Sequence, residues 1–252
     1  LSLAPFPDEV SINGEKQSGI FQTSYNLFNS TNSITLTFNS DIDTTSCMFM
    51  ECYDINEIDL SKFDSRNVKN MYSMFNRCTS LTSVNLANLD TSTSKLTNVH
   101  YMFYNCSKLT ILDLSMFDTS LVEEMYGMFS NCPALLSLNL SNFNFIRVLN
   151  IYNMFEYCNS LEFLNLENSK INQPNTADIF AGIFNNIIIC SNDDNWKNVL
   201  ENNNINTFIN INCENYPDTD IKCFQRNVQL TYNKYICSKC GRNYYMKNNV
   251  IF

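Results

Sequence analysis

Glycine, proline and histidine are scarce in this chain: its 252 residues include five Gly, five Pro and one His. Five glycines leave little material for phosphate-cradling loops, and no G-x-G-x-x-G, Gly-Lys-Ser/Thr or H-E-x-x-H string occurs. Any Ser-His-Asp or Cys-His pair would have to be built on His100, the sole imidazole. Positive charge is also short, with 16 Lys and Arg against 25 Asp and Glu, a net charge of −9 at pH 7. A fold of that sign repels phosphate backbones and anionic membrane surfaces, so no nucleic-acid partner is expected. No apolar run reaches the ~18 residues of a transmembrane helix, and none is expected in this chain. The chain opens at Leu1 without Met or a basic-plus-apolar leader, as a processed product would. Asn is abundant where Gly is not, a bias typical of an AT-rich genome and pointing to a protist.

What is present is a repeat. Met-Phe-x-x-Cys recurs at Met48-Phe49-Cys52, Met74-Phe75-Cys78, Met102-Phe103-Cys106, Met128-Phe129-Cys132 and Met154-Phe155-Cys158, with cysteine steps of 26, 28, 26 and 26. A second string of type L-x-x-L-(D/N)-L follows each, as in Leu109-Leu112-Asp113-Leu114 and Leu135-Leu138-Asn139-Leu140. Apolar residues alternate there about a polar one, the period of a half-buried strand. A turn such as Phe117-Asp118-Thr119-Ser120 comes next, its Asp and Thr side chains able to bond nearby backbone N–H groups. Val68, Met71, Met74 and Phe75 then fall at offsets 0, 3, 6 and 7, which predicts a short helix. The unit at Leu81 carries two extra residues within 91–94, just ahead of its stripe.

One strand plus one helix cannot bury its apolar face alone, so the units are expected to stack. The predicted fold class is α/β: a solenoid of about six coils, parallel sheet on one side and short helices on the other. At the usual strand spacing, six coils give a sheet roughly 25 Å long. The expected organisation is an N-terminal cap over 1–43, the solenoid over 44–186 and a C-terminal cap over 187–212. A Cys- and Tyr-bearing module over 213–252 would continue beyond Phe252.

These strings resemble the BspA-like leucine-rich-repeat surface proteins of oral bacteria, mycoplasmas and several protists. Residues 109–132, LTILDLSMFDTSLVEEMYGMFSNC, follow that family's pattern nearly throughout, and the resemblance spans about residues 44–166. It implies cell-surface exposure, binding to host or neighbouring-cell proteins, and no chemistry.

Each candidate site has a plainer alternative. One cysteine per coil (Cys52, Cys78, Cys106, Cys132 and Cys158) could be a metal array or a disulfide zipper. A small apolar residue filling the turn explains the ladder better, because equivalent Cys in adjacent coils seldom meet bridge geometry. No metal and no cofactor are expected. Cys237-Ser238-Lys239-Cys240 lacks the second tight pair of a zinc ribbon, so Cys190, Cys213, Cys223, Cys237 and Cys240 are expected in disulfides, one pairing elsewhere or staying free. The expected pairs, from proximity in sequence, are Cys190 with Cys213 and Cys223 with Cys237 or Cys240. His100 is expected at a solvent-facing helix position. Among the sequons Asn29, Asn105 and Asn139, the first is the best glycosylation acceptor.

On the sheet, Asp59, Asn85, Asp113, Asn139 and Asn165 form one polar column beside Ile111, Leu136 and Phe163. A polar strip with a few exposed apolar side chains is what protein interfaces favour, so a protein partner is expected there. The expected role is therefore non-catalytic, an extracellular adhesion or recognition surface. The alternative is a structural component of an extracellular or ciliary filament, with self-assembly.

Overall fold

The computed structural model describes residues 4–17, 32–86, 89, 91, 95–172, 174–183, 187–203 and 205, and the backbone of short strands at 208–209, 225–227, 236–239, 246–247 and 250–251. At the N-terminus, β1 (Glu9–Ile12), β2 (Glu15–Lys16) and β3 (Ile34–Thr37) form an antiparallel sheet in the order β2-β1-β3. Val10 is its buried residue, and the Ala4 N–H donates to the Ser46 carbonyl of the first repeat unit at 2.9 Å.

The L-x-x-L-(D/N)-L strings build the strands. β4 (Glu57–Asp59) pairs in parallel with β5 (Ser83–Asn85), with Ile58 opposite Val84. Further along come β6 (Ser137–Asn139), β7 (Asn144–Phe145), β8 (Phe163–Asn165), β9 (Lys170–Ile171), β10 (Ile188–Cys190) and β11 (Phe208–Ile209). β6, β8, β10 and β11 form one parallel ladder, Leu138 opposite Leu164 opposite Ile189, and β7 pairs with β9. The inward member of each string is buried: Ile58, Val84, Leu112, Leu138 and Leu164. Residues 111–113 of the third unit lie between β5 and β6 without strand geometry, so the expected single sheet is two. The connection from β5 to this unit carries the two-residue insertion, and the ladder lapses there.

The expected helices do not form; among the described residues the only helix is α1 (Asp194–Asn202). Each Met-Phe-x-x-Cys string is instead an arc of turns broken by two left-handed residues, such as Ser73 (φ 52°) and Arg77 (φ 63°) or Gly127 (φ 58°) and Asn131 (φ 59°). A helix needs every N–H to reach back four residues within its own segment. Here Met71, Ser73, Phe75 and Arg77 donate to the carbonyls of Asn98, His100, Met102 and Tyr104 in the next unit, at 2.8–3.1 Å. Val99, Tyr101, Phe103 and Asn105 repeat this toward Glu124, Tyr126, Met128 and Ser130. The alternate N–H groups close four-residue turns, Met74 on Met71, Asn76 on Ser73 and Cys78 on Phe75. Spacings of three suit such turns as well as they suit a helix, which is why the pattern misled.

The core runs between strands and arcs. Phe49, Phe75, Phe103, Phe129, Phe155 and Phe180 stack face to face with ring centroids 5.1–6.0 Å apart. Phe180 holds its place in the sixth unit, whose Ile179-Phe180 and Ile183 stand where the other units have Met-Phe and Cys. Beyond it, the Asp193 carboxylate accepts from the Asn195 N–H and caps α1. Trp196 of α1 is buried edge-on against Phe145 at 5.1 Å. In the last segment, β12 (Gln225–Asn227) pairs with β13 (Ile236–Lys239) and β14 (Met246–Lys247) with β15 (Val250–Ile251), both antiparallel.

Candidate functional site

On the outward face of the strands, the polar column is largely committed to its own backbone. The side-chain oxygens of Asp59, Asp113, Asn139 and Asn165 accept from the N–H two residues on, at Ser61, Ser115, Ser141 and Glu167, over 2.9–3.0 Å. These bonds turn the chain out of each strand. Asn85 donates its amide to the Asp59 carboxylate at 2.9 Å across the β4–β5 pair. The Ser61 N–H, the Ser61 hydroxyl and then the Asn85 amide hold the Asp59 carboxyl below its ordinary range. Asp59 and Asn139 remain exposed, while Asn85, Asp113 and Asn165 are half-buried.

The apolar members divide. Leu136 and Phe163 are half-buried and present part of their side chains, but Ile111 is 8% exposed and gives a partner little to touch. Ser137, opposite Phe163 in the ladder, is buried as well, and its hydroxyl has no hydrogen-bond partner. The exposure expected at Ile111 is thus corrected. Strand alternation assigns residues 111, 137 and 163 to the outward side, but alternation within one unit does not report how far the neighbouring units cover them.

On the arc side, the outward residues are ordered in columns. Tyr72, His100, Tyr126 and Tyr152 occupy one position per unit and stack at 4.3, 4.3 and 4.8 Å. His100 is therefore not a solvent-facing helix residue: it is 8% exposed, and burial takes its pKa down to about 4. Once the units are aligned on Met-Phe, this column stands two places before each Met, a signal the sequence carries. Asn70, Asn98 and Asn175 hold a second column, each accepting from the N–H two residues on.

The ladder cysteines Cys78, Cys106, Cys132 and Cys158 are buried free thiols. Each donates to the phenylalanine carbonyl of the preceding unit, at Phe49, Phe75, Phe103 and Phe129, over 3.0–3.1 Å. Burial pushes the Cys78 and Cys158 thiols up to about 12, and Cys106 and Cys132 well above their ordinary value, so none has thiolate character near neutral pH. Cys47 and Cys52 are free and half-buried. Cys190 is disulfide-bonded. Its partner lies outside the described residues, as do Cys213, Cys223, Cys240, Asn29 and the side chain of Cys237. Of the other sequons, Asn105 is half-buried with its amide oxygen accepting from the Ser107 hydroxyl at 3.1 Å.

Among the described residues, no group of three or more His, Cys, Asp or Glu is placed to hold a metal ion. No described helix is long and apolar enough to cross a membrane. A family model described as "Mycoplasma protein of unknown function, DUF285" matches residues 16–111 and, overlapping that stretch, 84–196. No curated protein and no solved structure matches.

Proposed function

The chain belongs to the DUF285 family, and we propose that it is a BspA-like leucine-rich-repeat solenoid whose sheet face binds protein partners outside the cell. The observation that carries the reading is the sheet face itself. Leu136 and Phe163 are partly exposed beside a polar column whose oxygens are bonded locally at four of its five positions. A rigid, prebonded polar surface with apolar anchors loses little entropy on binding. Unit-to-unit hydrogen bonds on both strands and arcs support the solenoid, because a stack built this way holds its surface as one body. The disulfide at Cys190 supports an oxidising, extracellular setting. Cys78, Cys106, Cys132 and Cys158 are buried and protonated, so none of the four is a nucleophile near neutral pH, which supports a binding role over thiol catalysis in the repeats.

The test is binding of the purified chain to an array of immobilised extracellular proteins, with Leu136→Asp/Phe163→Asp alongside. A partner bound by the parent and lost in the variant, at a stability cost of about 1 kcal/mol, is the expected result. Undiminished binding by the folded variant would place the interface elsewhere.

A further inference from the structure

His100 interrupts a tyrosine column, and its surroundings give it a property that a tyrosine there would lack. The imidazole lies between the rings of Tyr72 and Tyr126, 4.3 Å from each, with Tyr101 edge-on at 5.7 Å. Its Nδ1 is buried without a hydrogen-bond partner. Tyr72 belongs to the second arc, before it, Tyr101 to its own, the third, and Tyr126 to the fourth; Glu124, which bridges Asn98, is the nearest acidic residue along the arc of Tyr126. No described hydrogen bond or ion pair joins any of these to the imidazole. The His100 backbone also sits in the ladder between units: its carbonyl accepts from Ser73 at 3.1 Å and its N–H donates to the Asn98 side chain.

We propose that the Tyr72–His100–Tyr126 stack is an acid-sensitive latch, which loosens the second, third and fourth arcs when His100 takes up a proton. Protonation would put a charge and a second N–H donor where Nδ1 meets no acceptor, and the local remedy is to swing the ring out of the column. That breaks two ring stacks and exposes the Ser73–His100 bond of the ladder. The neutral form is favoured in the closed state, because burial lowers the His100 pKa to about 4 from the ordinary 6.5. As pH falls through 6.5 an opened or unfolded imidazole binds its proton while the closed one does not, so closure weakens progressively down to about pH 4. A shift of that size weakens closure by about a hundredfold at pH 4.

Hydrogen exchange of the full chain at pH 7 and pH 4, read as protection factors, tests this. The ladder amides of Ser73, Tyr101 and Phe103 should lose about a hundredfold protection in the parent. His100→Tyr, which restores the column, should keep it. Equal loss in parent and variant, or no loss in the parent, overturns the latch. Should His100→Tyr fail to fold, NMR titration of the single imidazole decides: a pKa near 4 supports the latch, and one near 6.5 overturns it.

Discussion

Phe103 has stacked neighbours on both sides, Phe75 at 5.1 Å and Phe129 at 6.0 Å, and no exposed surface. Phe49 has a single neighbour in the ladder and is only half-buried. Phe103→Ala should therefore cost about 3–5 kcal/mol, as removal of a buried aromatic does, and Phe49→Ala about half that or less. Chemical denaturation of the two variants checks the ordering, and equal losses would show that the ladder is not the continuous core described. The cysteine column was legible in the sequence as a small apolar position, and four of its five members are buried, Cys52 of the first unit being half-buried. The column's hydrogen bond was not legible, since the acceptor of Cys132 lies 29 residues back in another unit. The exposure expected of His100 failed for a similar reason: its burial comes from Tyr72 and Tyr126, which only stacking brings to it.

Among elements, the sequence predicts helices where the arcs stand, because apolar spacing registers a repeat of about three residues and not the direction of the N–H groups. The left-handed positions carry a further pattern across units. Tyr101 and Gly127 occupy the same place in successive arcs, and a Cβ on Gly127 (φ 58°) would lie 2.4 Å from the Tyr101 ring. Tyr157 and Gly182 repeat the relation at the second left-handed position, again at 2.4 Å. Asn153 holds the equivalent φ in the next arc, so backbone conformation alone does not demand glycine at 127; the tyrosine before it does. Gly127→Asn should destabilise by about 1–3 kcal/mol through overpacking. In a Tyr101→Ser background the same change should cost clearly less, with a coupling of about 1 kcal/mol or more in a double-mutant cycle. Additive costs would show that the ring is not the obstacle. Neither glycine stands out in the sequence until the units are aligned, and then the large-then-absent pairing is plain.

For the whole molecule, the 26-residue period and the buried strand positions could be read from residue order, because each depends on spacing within one unit. The break between β5 and β6 and the shielding of Ile111 depend on how units meet, and spacing within a unit does not report that. Exposed ion pairs such as Arg77–Glu51 and Arg147–Glu123 add little to the stack. What holds it together is burial of the repeat side chains, and their thiols are a built-in probe of that burial. Differential alkylation with mass spectrometry, run on the native chain without reductant, then in denaturant, then with reductant, reads every cysteine at once. The stacked, extracellular account predicts that Cys78, Cys106, Cys132 and Cys158 react only on denaturation and Cys190 only after reduction. Ladder thiols that label in the native chain, or a Cys190 that labels without reductant, would contradict it.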